Sequence, residues 1–141
     1  MTAKEYLQQY KLLDSRINAK CEQLERLREL STKVSAEQGG GAHSGVSDRV
    51  GSIVAKICDT EAEINEMIDK LLDLRVEIER AIAAVPDETL RQLLELRYIN
   101  CKTFEQIAVE MYYTYKWICA LHGRALAAVQ EYIEIHTQPV V

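Results

Sequence analysis

Helix-breaking residues are scarce in this chain of 141 residues. Proline occurs only at Pro86 and Pro139, and four of the six glycines fall between Gly39 and Gly45. Proline interrupts helical hydrogen bonding and glycine loses the most backbone entropy in a helix, so this confinement leaves long stretches able to be helical. Cysteine is also sparse. Cys21, Cys58, Cys101 and Cys119 form no CxxC pair. Zinc ligands cluster at short spacings, so no metal is expected, nor any other cofactor, and the thiols are expected to be free and reduced. No apolar run approaches the ~20 residues of a membrane span, and Met1 to Gln9 is polar and mixed in charge, unlike a signal peptide. An excess of positive charge is missing too: Lys and Arg number 17 against 22 Asp and Glu, a net charge of −5. Phosphate neutralisation supplies much of a DNA binder's affinity, so this balance argues against strong DNA binding unaided. What is present is apolar surface, 48% of residues, enough to build a core. The expectation is an all-α, soluble, cytoplasmic protein.

Two segments carry heptad spacing. From about Thr2 to Glu37, Tyr6, Tyr10, Leu13, Ile17, Leu24, Leu27 and Val34 recur at steps of three and four. Lys20 and Ser31 interrupt that register, with Cys21 placed to fill in beside Lys20. From about Asp48 to Ala84, Ile57, Thr60, Ile64, Met67, Leu71, Leu74, Ile78 and Val85 step in the same way. Such stripes mark helices that pack along other helices. In the second segment Ile53, Ile68, Leu72 and Ile82 widen the stripe, which predicts contact with more than one neighbour. The matched lengths predict a long antiparallel coiled-coil hairpin over residues 1–85. Its bare heptad face also suits homodimerisation.

Between the stripes, residues 38–52 read QGGGAHSGVSDRVGS, and this stretch is expected to be a hairpin loop with His43 solvated. It lacks the Walker pattern, the Lys-Ser/Thr after the glycines and the preceding strand that a phosphate loop needs. Glu63 and Glu66 lack the Glu-x-x-His repeats of a di-metal bundle and read as a solvated acidic face. No nucleophile–base pair is evident, so the chain is not expected to be an enzyme.

Val85-Pro86-Asp87-Glu88 marks a boundary, because proline disfavours helical geometry in the residue before it and suits a first turn. Residues 86–141 form the second expected domain. Leu90, Leu93, Leu94 and Arg97-Tyr98 give one amphipathic helix, followed by a connector from Ile99 to Lys102. Thr103 with Gln106 three residues later spells a capping box. The helix from Phe104 to about Met111 should bury Phe104, Ile107, Ala108 and Met111. Tyr112-Tyr113-Thr114 reads as a tight turn with Thr114 capping the next helix, which buries Ile118, Leu121, His122, Ala125 and Val129. His122 is expected to be a satisfied core histidine and Trp117 to pack beside the core stripe, while His136 lies near a frayed end. Two short capped helices joined by a three-residue turn are the signature of a helix-turn-helix. Tyr112 stands where that turn usually has Gly. Positive φ is costly for Tyr, so the turn is expected to differ in shape.

Val85-Pro86-Asp87-Glu88, Leu94-Glu95-Leu96-Arg97-Tyr98, Thr103-Phe104-Glu105-Gln106-Ile107-Ala108, Ile118 and Arg124-Ala125-Leu126 together resemble region 4 of bacterial sigma factors. The whole chain, with its hairpin and His122-Gly123-Arg124-Ala125-Leu126, resembles a family of sigma-like transcription regulators carried by phages and prophages of Gram-positive bacteria. The resemblance implies binding of double-stranded promoter DNA together with RNA polymerase, with the last helix in a major groove. Carried onto this sequence, it implies DNA contacts at Lys102, Thr103, Thr114, Tyr115, Lys116, Ala120 and Arg124. Lys116 and Arg124 can reach phosphate or guanine, Tyr115 phosphate or a base edge, and Lys102 and Thr103 the backbone. Cys119, Ala120 and Gly123 stand where the family tends to have Arg or Lys, so the module should bind DNA weakly alone. The alternative is a dimerising helical adaptor that keeps the fold without the DNA binding.

Overall fold

The computed structural model describes the backbone of residues 1–36 and 44–137, and the side chains of all of these except 44–47. The described residues form helices and no strand: α1 (Ala3–Ala36), α2 (Ser44–Ala83), α3 (Glu88–Leu94) continuing into a π-helical turn (Glu95–Ile99), α4 (Phe104–Met111) and α5 (Tyr115–Thr137). The all-α expectation is met. No helix among the described residues is long and apolar enough to cross a membrane.

The expected loop at 38–52 needs correction, because α2 already begins at Ser44 and runs through Gly51. An isolated glycine in a helix costs only about 1 kcal/mol, which a forty-residue helix absorbs. The three consecutive glycines and His43 lie outside the described residues, as does Pro139.

Two compact units divide the chain: Met1–Leu12 joins Leu71–Val141, while Leu13–Lys70 stands as the other. In the Leu13–Lys70 unit, Ile17, Leu24, Thr60 and Ile64 are buried, at heptad spacing on their helices. Leu27, Ile57 and Met67 are half-buried along the same stripes. Lys20 occupies a seam position itself, with its Nζ 2.9 Å from Glu63, and Arg28 lies 3.0 Å from Glu61. Partners thus advance along α1 while receding along α2. Cys21 does not fill in for Lys20; it is exposed. Thr60, the buried polar residue here, donates its hydroxyl to the Lys56 carbonyl at 2.8 Å. Ile68 is exposed, so the widened stripe finds no second neighbour at that point.

The other unit has two cores. One gathers Ala3 and Leu7 of α1, Ile78 and Ile82 of α2, Val85, Leu94 and Tyr98 with Ala125 and Val129 of α5. Leu7 is fully buried and falls between the residues that the heptad reading picked at Tyr6 and Tyr10. Leu72 is exposed rather than packed on a second neighbour. Gln130 fixes the start of α1 by accepting from the Ala3 N–H at 2.8 Å. The second core joins Leu93 of α3, Ile107 and Ala108 of α4, and Ile118 and Leu121 of α5. Between α2 and α3, Asp87 is the N-cap, accepting from the N–H groups of Thr89 and Leu90 at 2.9 and 3.2 Å. Its carboxylate meets donors that have no partner inside the helix.

Candidate nucleic-acid interface

Local chemistry sets both ends of α4. The Thr103 hydroxyl accepts from the Gln106 N–H at 3.2 Å, and the Gln106 side chain accepts from the Thr103 N–H at 2.9 Å. This reciprocal pair is the expected capping box. At the other end the Tyr113 N–H reaches the Ala108 carbonyl at 3.0 Å, closing the helix through Tyr112 in the left-handed conformation, φ 60 and ψ 37. The turn therefore keeps the shape that Gly would give it, and the expectation of a different shape is overturned. A non-glycine residue there costs on the order of 1–2 kcal/mol, and the burial of Ile107, Ala108 and Ile118 on either side holds it in place. Cys101, which follows the Asn100 cap of the π-helical turn, also has positive φ, at 56.

Thr114 begins α5 by accepting from the Trp117 N–H at 3.1 Å. Ile118, Leu121, Ala125 and Val129 then bury one face of α5. The opposite face carries Lys116, Ala120 and Gly123, all exposed. Eight residues of helix turn Arg124 about 80° from Lys116 and carry it about 12 Å along the axis. Both cations face solvent on neighbouring strips of α5. A Cβ added at Gly123 would meet no atom within 4 Å, so packing does not require glycine there.

The remaining positions are less available. Lys102 is half-buried and ion-paired with Glu110. The Thr103 and Thr114 hydroxyl oxygens are occupied as helix caps, although each hydroxyl can still donate outward. Tyr115 is exposed but leans edge-on against Phe104, with ring centroids 6.4 Å apart. Cys119, one turn along α5, holds the Tyr115 phenol above its ordinary pKa. Trp117 is 40% exposed rather than packed beside the core, and the Arg124 guanidinium lies 5.4 Å from its ring centroid. Among the described residues, Lys116 has no ion-pair partner.

Behind this face lies a network that the sequence did not display. Tyr98 and the His122 Nε2 stand 2.6 Å apart, and the His122 ring meets Phe104 edge-on at 4.8 Å. Arg97 donates to the Lys102 carbonyl at 3.0 Å and lies 4.3 Å over the Phe104 ring. Burial, with Arg97 and Lys4 adding positive potential, pushes His122 down to about 4. The imidazole is therefore neutral near pH 7 and shares a hydrogen bond with the Tyr98 hydroxyl through Nε2. The network ties the π-helical turn, the start of α4 and the middle of α5 together, so the direction of Lys116 and Arg124 depends on it. His122 is the satisfied core histidine expected. Arg97, by contrast, is consumed structurally and adds no cation to the exposed face. The signal was the adjacent Arg97-Tyr98 pair, but nothing in its spacing names Phe104 and His122 as partners.

No family model matches this chain, and neither the curated proteins nor the solved structures hold a match to it.

Proposed function

We propose that the protein is a sigma-like transcription regulator whose α4–turn–α5 segment acts as a helix-turn-helix on double-stranded promoter DNA, with RNA polymerase supplying most of the affinity. One observation carries the reading: α5 is buried through Ile118, Leu121, Ala125 and Val129 while Lys116 and Arg124 stand in solvent, the division a major-groove helix needs. The capping box at Thr103 and the N-cap at Thr114 keep α4 and α5 separate, so α5 presents its own face. Two exposed cations cannot bind strongly alone, since each phosphate contact contributes roughly one counterion released. The polymerase requirement follows from that scarcity. In this reading the protein works in the cytoplasm and catalyses no reaction, and the α1–α2 hairpin offers a surface for pairing with a second copy.

A second reading, a helical adaptor without DNA binding, draws support from the Lys102–Glu110 pair, which neutralises one of the expected phosphate contacts. Electrophoretic mobility of promoter fragments with and without RNA polymerase separates the two. A polymerase-dependent shift that Lys116→Ala plus Arg124→Ala abolishes is the expected outcome. Polymerase association with no effect of those substitutions on DNA defeats the regulator reading in favour of the adaptor.

A further inference from the structure

The α4–α5 junction holds exposed aromatic surface that folding does not use. Tyr112 is 93% exposed, yet it sits at φ 60, where Gly would carry no strain. Its ring gains almost nothing from burial, so neither the backbone nor the core accounts for a tyrosine there. Tyr113 and Trp117 are each 40% exposed within the next five residues. Strained residues persist where something other than folding selects them.

We infer that this junction binds DNA carrying unpaired bases, stacked on Tyr112, Tyr113 and Trp117 next to the duplex held by Lys116 and Arg124. The inference rests on the DNA-contacting reading of α5. The physical argument is one of supply. Lys102 is compensated by Glu110 and Arg97 is turned inward over Phe104, so phosphate neutralisation contributes little. Base–aromatic stacking contributes independently of net charge, because every base has a π face. Arg124 over Trp117 adds a cation to that ring and a phosphate partner next to a stacked base. The run Tyr112-Tyr113-Thr114-Tyr115-Lys116-Trp117 interleaves rings with positive charge at the start of a helix, whose dipole also favours phosphate. An apolar protein surface would cover the rings but leave Lys116 and Arg124 without countercharge, so nucleic acid fits the patch better.

Trp117 is the single tryptophan of the chain, so its fluorescence reports this site alone. The full chain is titrated, without polymerase, with a paired duplex, a forked duplex and a single strand of one sequence at several salt concentrations. The forked duplex should quench Trp117 and bind roughly tenfold tighter than the paired one, the scale of stacking one or two bases. Affinity for the single strand should fall only shallowly with salt. Tyr112→Gly with Tyr113→Ser should lower fork affinity at least to that of the duplex. Lys116→Ala alone should weaken fork and duplex alike and keep their ratio. Circular dichroism checks that each variant retains its helices. Equal affinity for fork and duplex, or a fork preference untouched by the tyrosine substitutions, overturns the inference and leaves the polymerase-dependent duplex shift to be judged separately. Loss of polymerase association by the tyrosine variant in the absence of DNA also overturns it, because the patch is then a protein-docking surface. Absence of any DNA shift, even with polymerase, defeats the regulator reading and this inference with it.

Discussion

The Leu13–Lys70 unit and the unit containing α3, α4 and α5 use similar helices but different means of cohesion. In the first, a single heptad seam buries Ile17, Leu24, Thr60 and Ile64, and exposed ion pairs flank it. In the second, Leu7, Ile78, Ile82, Leu93, Leu94, Ile107, Ile118, Val85 and Val129 are all fully buried, in two cores. A seam one residue wide leaves most side-chain surface in water, whereas a core closed on every side also collects dispersion contacts. Backbone strain is held where packing is closed. Positive-φ residues at Cys101 and Tyr112 both occur in the second unit, where packing on either side can hold them.

Removing matched side-chain volume from each unit should separate the two most strongly. Leu93→Ala should cost about 3–4 kcal/mol in urea unfolding, because the cavity is enclosed by Ile107, Ile118 and Leu121. Ile64→Ala should cost about 2 kcal/mol or less, since water and neighbouring side chains can fill a gap beside an open seam, and its effect on hydrogen exchange should stay within residues 13–70. Equal costs at the two sites would contradict the division.

Acid provides the next test. His122 is held near 4 in the fold, against about 6.5 in an unfolded chain. Between those values the unfolded chain binds a proton that the folded chain does not, so stability falls as pH drops from 7 toward 4 and is fully present above 6.5. Unscreened, that shift would correspond to about 3 kcal/mol by pH 4; His122 is only half-buried, so solvent screening reduces the expected loss to on the order of 1–2 kcal/mol, registered in the α3–α5 unit. His122→Phe should flatten that part of the pH profile, while leaving Tyr98 without its partner and lowering stability at pH 7. A profile unchanged by the substitution would show that His122 does not carry the acid response.

Smaller effects probe how the strain is held. Tyr112→Gly should raise stability by about 1 kcal/mol by removing the left-handed penalty, and Thr103→Ala should lower it by about 1 kcal/mol through loss of the capping box. If Tyr112→Gly destabilised the protein, the ring would have a packing role that its exposure contradicts.

Much of this architecture was legible before any coordinates. The capping box at Thr103, the cap at Thr114 and the buried stripe Ile118–Leu121–Ala125–Val129 are short-range features, written in spacing that physics reads locally. The start of α2 was not legible, because isolated Gly45 and Gly51 look like loop residues next to three consecutive glycines. The core that Ala3 and Leu7 share with Ala125 and Val129 is hidden for a different reason, since those residues lie far apart in sequence. The π-helical turn and the Arg97–Phe104–His122–Tyr98 network likewise depend on three elements meeting, which no window of sequence contains. Trp117 was misread because an aromatic flanking a core stripe resembles a buried one. Only the crossing of α4 and α5 decides that its ring faces water.

Substitution at Lys20 tests whether the polar position in the α1–α2 seam selects register rather than strength. Lys20 interrupts the apolar stripe of α1 and meets Glu63, whose carboxyl is held below its ordinary pKa by that hydrogen bond and charge. Because the pair is partly exposed, its net contribution to folding is small. The cost of placing a lysine at a seam position is nevertheless real, since an apolar side chain there would bury more surface. Lys20→Leu should therefore raise hydrogen-exchange protection within residues 13–70 modestly and leave the α3–α5 unit unchanged. Glu63→Gln, which keeps shape and removes charge, should not move the global unfolding midpoint, and any effect it has on protection should vanish at high salt. If instead Lys20→Leu yields a mixture of states with different exchange patterns, the Lys20–Glu63 pair specifies how the two helices align, and the seam's weakness is the means by which one alignment is chosen.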